Sequence, residues 1–382
     1  MKTSENITVL VATGLYPPDI GGPATYSRML EEKLHEHNIE VIVIPFGLVR
    51  HLPKVVRHIT FAFKVFVASK DADYIYALDP ISVGVPSLLV SVLRRKPLLV
   101  RLGGDYAWEQ GRQRFGVTQT LDAYTHTPKD VPFLVKLLAY IQRAVVKHAH
   151  SVIAPSEYLK NIIETWGVEP KKITVMYSAL FPLQVQGNKT SLREQLSYKG
   201  IVITTVGRLV PWKGFGELID VFSELTKKYD DISLVIIGDG PQHDVLQEKI
   251  SELGLQEKVR LLGRLGKEAL GAAIKASDVF VLNTTYEGLS HQLLEVMELG
   301  VPIITTRVGG NPELIEDGVS GILVPIENND ELLRALIRLI DNESLRTLLV
   351  QGARIRILDF NQDAVVARFA ECIKRELFIE TY

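Results

Sequence analysis

Tyr286-Glu287-Gly288-Leu289-Ser290-His291-Gln292-Leu293-Leu294-Glu295 sets two carboxylates eight positions apart across a junction from loop to helix. Ser290 has the short, oxygen-bearing side chain that a helix N-terminus favours. Leu293, Leu294, Val296 and Met297 follow as an apolar run, and Gly300-Val301-Pro302 supplies the stop. Glu287 therefore belongs to the loop and Glu295 to the helix. The amides of Gly288, Leu289 and Ser290 fall where a helix start leaves N–H groups without intrahelical acceptors, a setting suited to an anion. Ionised carboxylates only accept hydrogen bonds, so a ligand that carries both phosphate and sugar or ribose hydroxyls satisfies the amides and the glutamates together.

Further along stand Gly300-Val301-Pro302-Ile303-Ile304, then Gly309-Gly310-Asn311-Pro312-Glu313-Leu314-Ile315 with Gly318, Gly321 and Val324. With the two-glutamate spacing, this ordered string resembles the C-terminal half of the family 4 retaining glycosyltransferases, the glycosyl transferases group 1 of the GT-B superfamily. The resemblance implies an α/β GT-B fold: two facing Rossmann-like domains with parallel sheets and a deep interdomain crevice. It assigns Glu287 to the donor sugar and Glu295 to the ribose of the nucleotide. For an isolated pair, solvated surface charges are the plain alternative.

The chain's 382 residues suit two domains of ordinary size. A hydrophobic fraction of 46% with 23% charged residues describes a globular protein. The net charge of −2 gives no global drive toward nucleic acid, and none is expected as a partner. One cysteine, Cys372, excludes an internal disulfide framework and a cysteine metal cage and points to a reducing cytoplasm. The apolar run Ile7 to Ala12 follows the acidic Glu5 and is too short for a signal sequence. Ile81 to Leu93 contains Pro86 and falls short of the ~20 residues a membrane helix needs.

Short apolar runs alternating with amphipathic segments predict parallel βαβ units. Strands are expected at 6–12, 39–46, 73–78, 97–102, 150–154 and 173–177, then at 201–207, 232–238, 258–262, 278–282, 301–305 and 321–324. Phe181 to Gly200, with little periodicity, reads as the linker. The expected domains are an acceptor-binding domain over 1–185, with a last helix at about 361–382 packing back on it, and a donor-binding domain over 195–360.

In the second series, Gly207-Arg208 and Pro211-Trp212-Lys213-Gly214 lie on a strand-to-helix loop. Two cations there hold a diphosphate and stabilise the charge that grows on it as a glycosidic bond breaks. The family has an arginine and a lysine at the matching points, which favours this over ordinary surface cations. Gly238-Asp239-Gly240-Pro241 permits a tight turn and close approach of a ligand, although a turn without ligand accounts for it equally well. By resemblance, Gly263-Arg264 lies near the nucleobase.

In the first series, Tyr16-Pro17-Pro18-Asp19-Ile20-Gly21-Gly22-Pro23 is a glycine-bearing loop at a helix start, expected to offer Gly21 and Gly22 to the donor phosphate or the acceptor. A simple βα turn is the alternative. Gly103-Gly104-Asp105 departs from many relatives, which carry histidine near Asp105. A site role toward a sugar hydroxyl or a proton is expected of Asp105, against a turn or cap. Ala154-Pro155-Ser156-Glu157 fits the family, while Tyr177-Ser178-Ala179 replaces its usual asparagine-glycine pair.

Arg50 to Lys70 contains several cations and no acid. Val56, Ile59, Phe63 and Phe66 recur at helical spacing, with Lys54, Arg57, Phe61 and Lys64 largely opposite. The basic face with its aromatic is expected either to dock peripherally on the inner face of an anionic membrane or to be the solvated side of a helix packed on its sheet. Asp71-Ala72-Asp73 has DxD spacing but reads as a loop or cap. No metal and no cofactor are expected.

These readings predict a cytoplasmic, metal-independent hexosyltransferase. It would move sugar from a nucleotide-diphosphate donor to a glycan or lipid-linked acceptor with retention, in cell-surface polysaccharide or glycolipid synthesis. A disaccharide phosphorylase or synthase of the same fold, and a non-catalytic sugar-nucleotide-binding protein, are the alternatives.

Overall fold

A computed structural model of the chain describes residues 7–19 and 21–379. Asn6 of the first expected strand, Glu5 before it, Ile20 of the glycine loop and the last residues of the expected C-terminal helix lie outside the described residues.

The chain divides into two compact units, one of 1–179 with 360–382 and one of 180–359. The first holds β1 (Ile7–Thr13), β2 (Ile39–Pro45), β3 (Tyr74–Ala77), β4 (Leu98–Arg101), β5 (Ser151–Ala154) and β6 (Ile173–Val175). The second holds β7 (Ile201–Val206), β8 (Ile232–Ile237), β9 (Val259–Leu261), β10 (Val279–Leu282), β11 (Ile303–Thr306) and β12 (Ile322–Val324). All twelve lie where the apolar runs predict them. Every pairing is parallel, in the orders β2-β1-β3-β4-β5-β6 and β12-β11-β10-β7-β8-β9. Helices on both faces bury these sheets, so β3, β4, β5, β10 and β11 are buried at every residue and carry apolar or Thr/Ser side chains, apart from Arg101 at the end of β4. Side chains such as Phe215, Leu218, Phe222 and Leu336 fill the second core from the helices Phe215–Leu225 and Asn329–Asp341, which pack against each other on the sheet.

Both sheets are doubly wound. In each, the strand order reverses beside the first strand, between β1 and β3 and between β10 and β7, where Val279 pairs with Ile203 and Phe280 with Thr204. Loops leaving the carboxyl ends of two such strands diverge and leave room for a ligand. In the second unit the loops after β7 and β10 flank that room.

The last helix, Gln362–Ile379, belongs to the first unit, where the Phe369 ring lies 5.0 Å from that of Tyr76 and Asp363 pairs with Lys33 at 2.5 Å. The stretch 181–200 is not a bare linker. It contains the helix Lys189–Leu196, capped by Asn188. Lys189 and Arg193 reach Asp278 at 2.7 and 2.9 Å, which ties the segment to the edge of the second sheet's core. Asp73 accepts a hydrogen bond from the Thr8 amide at 2.9 Å, a cap at the start of the sheet.

Candidate active site

The loop after β7 passes through Gly207 and Arg208, makes a single 3₁₀ turn at Pro211–Lys213, and enters the helix Phe215–Leu225 at Gly214. The loop after β10 runs over 283–290 into the helix His291–Leu299, whose N-cap Ser290 accepts from the Leu293 amide. The two are laced together. The Trp212 carbonyl accepts from the Thr285 amide at 2.7 Å and the Thr284 hydroxyl at 2.9 Å, and Asn283 donates to the Gly214 carbonyl at 3.2 Å. Lys213 Nζ meets Glu287 Oε2 at 2.5 Å, with the two side chains 11% and 16% exposed. A cation and a carboxylate thus face each other across the switch point of the sheet. Both are covered enough to feel each other strongly, yet neither is sealed off.

Arg208 is exposed beside them, and Gly288, Leu289 and Ser290 are buried at the helix start. The amides of Leu289 and Ser290 donate to no protein acceptor among the described residues. Glu295 lies one turn into the same helix, partly buried. Arg264 is exposed after β9, next to Gly263, whose carbonyl accepts from the Gly238 amide at 2.9 Å. The structure thus brings Arg208, Lys213, Glu287, the 288–290 amides and Glu295 onto two adjacent loop-to-helix junctions.

Gly238 makes a close approach, but to protein rather than to an exposed ligand surface. A Cβ there would fall 1.8 Å from the Gly207 carbonyl oxygen, and one at Gly240 2.4 Å from that of Leu209. The turn is a brace under the Arg208 loop. Gly309 and Gly310 brace the Glu287 loop in the same way. The Gly310 amide donates to the Glu287 carbonyl at 3.0 Å, and Asn311 anchors the brace by donating to Thr305 Oγ1 and the Thr306 carbonyl. Thr284 and Thr285 position the site without having been singled out in the sequence. The polar Asn283-Thr284-Thr285 directly after a buried strand is the signal that could have found them.

Burial pushes the Glu295 carboxyl up to about 7 from 4.5, with the Lys267 charge acting in the opposite sense. A folded-state pKa above the unfolded one means that the proton stabilises the fold. That contribution is complete below about 4.5 and is lost as the pH rises through about 7. Glu295→Gln is therefore expected to leave thermal stability at pH 4 unchanged and to raise it at pH 8 by about 1–2 kcal/mol, a value reduced for partial exposure. Parallel melting curves that differ by the same amount at both pH values would contradict this origin.

The other expected residues lie in the first unit. Gly21 caps the helix Gly22–Lys33 with φ 152°, its carbonyl accepting from the Ala24 and Thr25 amides, so the pair forms a helix start at the switch point beside β3. Asp105 caps the helix Tyr106–Arg114. It is 1% exposed, and Oδ1 accepts from the Trp108 amide at 3.0 Å and from Gln142 Nε2 at 3.1 Å. Its own helix start and the neighbouring helix enclose this carboxylate.

Residues 7–179 match the family described as Glycosyl transferase 4-like domain, and residues 188–356 match Glycosyl transferases group 1. The chain belongs to this family of glycosyltransferases. It is 34% identical over 170 residues to the alpha-D-kanosaminyltransferase of Streptomyces kanamyceticus, covering 44% of each chain. It is 29% identical over 205 residues to a Campylobacter jejuni N-acetylgalactosaminyltransferase acting on a diphospho-undecaprenol substrate, covering 53% of this chain and 54% of that one. The matches span about half the length of these curated relatives. The Anabaena protein HepE, solved in complex with UDP-glucose, superposes with a TM-score of 0.76 at 21% identity, over 97% of this chain and 100% of that one. The fold is GT-B.

Proposed function

We propose that the protein is a retaining glycosyltransferase that moves a hexose from a nucleotide-diphosphate sugar to a glycan or lipid-linked acceptor. The observation that carries this reading is the Lys213–Glu287 pair, joining two loops at the sheet's switch point beside the exposed Arg208. When a donor enters, its diphosphate takes Lys213 and Arg208 as counter-charges, and the 288–290 amides add hydrogen bonds. Glu287, released from Lys213, accepts from the hydroxyls of the sugar, and Glu295 from those of the ribose. As the bond between C1 and the diphosphate oxygen breaks, negative charge grows on the leaving group, where the two cations stabilise it most. The acceptor oxygen bonds to C1 on the same face, and its proton passes to the departing diphosphate. No protein nucleophile takes part, in contrast to a retaining glycosidase with its two carboxylates.

The relatives named above, one acting on a lipid diphosphate, and the nucleotide-sugar complex of HepE support this choice of donor and acceptor class. The reaction is proposed to need no metal. Proton NMR of the product formed in EDTA tests both points. The anomeric coupling is expected to match that of the donor sugar, and an inverted coupling, or no product until a divalent cation is restored, would overturn the reading.

A further inference from the structure

The helix Lys54–Ala68 turns the opposite way from the sequence expectation. Phe61 and Val65 face inward, 0% exposed, with Phe61 against Phe46 at 5.2 Å. Ile59 and Phe63, each 66% exposed, point outward with Val56 and Val67. Apolar residues occur on both sides of this helix, so periodicity alone does not say which side the sheet covers.

The exposed face does not end there. The helix Gly84–Arg94 packs between Lys54–Ala68 and Phe133–His148. It presents Leu89, Val92 and Leu93, and its neighbour presents Phe133, Leu137 and Tyr140, with Val92 69% and Phe133 76% exposed. A soluble surface rarely gathers so many large apolar side chains on adjoining elements. The charge pattern is equally one-sided. Residues 46–70, 80–104 and 131–156 contain twelve Lys and Arg, of which only Arg101 is buried, and no Asp or Glu. An even spread of the chain's 45 acidic residues would put about nine there. Beside the third helix, a cavity of about 540 Å³ is lined by Lys136, Arg143, Lys147, Tyr124 and Tyr140 among others. No helix among the described residues is long and apolar enough to cross a membrane.

We infer that the outer sides of these three helices form one face that seats on an anionic lipid bilayer. The apolar side chains enter the interface, and the flanking cations, including those of the cavity, engage lipid phosphates. A protein partner with an apolar surface would match the side chains but not a charge imbalance spread over three segments distant in sequence. The inference deepens the lipid-linked acceptor reading and rests on it, because a membrane-seated enzyme meets an acceptor embedded in that membrane.

Cosedimentation of the full chain with vesicles of phosphatidylcholine, with and without phosphatidylglycerol, tests it. Binding is expected only with phosphatidylglycerol. Phe63→Glu, Leu93→Glu and Leu137→Glu, one on each helix, should each abolish most of it without changing the melting temperature. Lys64→Ala and Lys136→Ala should each weaken it roughly fivefold, from about 1 kcal/mol per cation. Absence of binding to either vesicle would overturn the inference. So would a loss confined to the variant of the first helix, or a dimer in solution that the glutamate variants dissociate. Failure of the transferase reading is seen separately, as lost nucleotide binding with vesicle binding intact.

Discussion

Lys213→Ala is expected to lower kcat/KM by about 10²–10³-fold, with most of the loss in kcat. The reason is when its charge matters. A cation on the diphosphate helps to hold the bound nucleotide, and it matters most when the leaving group gains charge in the transition state. The same substitution leaves Glu287, 16% exposed, without its ion-pair partner at 2.5 Å. Glu287→Gln in the Lys213→Ala background should therefore add far less than its effect in the native chain. Single and double variants assayed for kcat and KM check this, and strictly additive losses would mean that the two side chains do not act as a unit.

Gly309→Ala is expected to destabilise the fold by about 2–5 kcal/mol and to remove most activity. Gly309 has φ 57°, and its added Cβ would lie 1.9 Å from the Glu287 carbonyl oxygen, a backbone atom that no rotamer change can move away. Relief requires the Glu287 loop itself to shift. Gly318→Ala is the control. With φ 75° and nothing within 4 Å of its Cβ, it carries only the left-handed backbone cost of about 1 kcal/mol and leaves the site alone. Chemical denaturation with activity assays on both variants reads the contrast, and equal losses would show that conformation rather than contact governs Gly309.

The strands were legible because sheets covered on both faces demand continuous apolar segments, and the turns between them demand glycine and proline. The start of the helix His291–Leu299 was legible for a local reason as well, since Ser290 and the run after it announce a cap. What the sequence hid depends on distant partners. Gly238 reads equally as room for a ligand or as a bare turn until Gly207, thirty-one positions earlier, is seen beneath it. Asp105 reads as a polar loop residue until Gln142 and the Trp108 amide enclose it. The helix Lys189–Leu196 is short and polar, and Asp278 and the Ala276 carbonyl, distant in sequence, hold it in the second unit. Thr284 and Thr285 are ordinary residues whose value lies in one shared acceptor, the Trp212 carbonyl.

The central claim is that the two junctions after β7 and β10 bind the diphosphate of a nucleotide sugar. Thermal unfolding of the native chain and of Lys213→Ala, each with UDP, GDP or ADP, tests it most directly. One nucleotide, at ~100 times its dissociation constant, should stabilise the native chain by about 2.7 kcal/mol and Lys213→Ala by clearly less. No shift of the native chain with any of the three, or an equal shift in Lys213→Ala, would contradict the account.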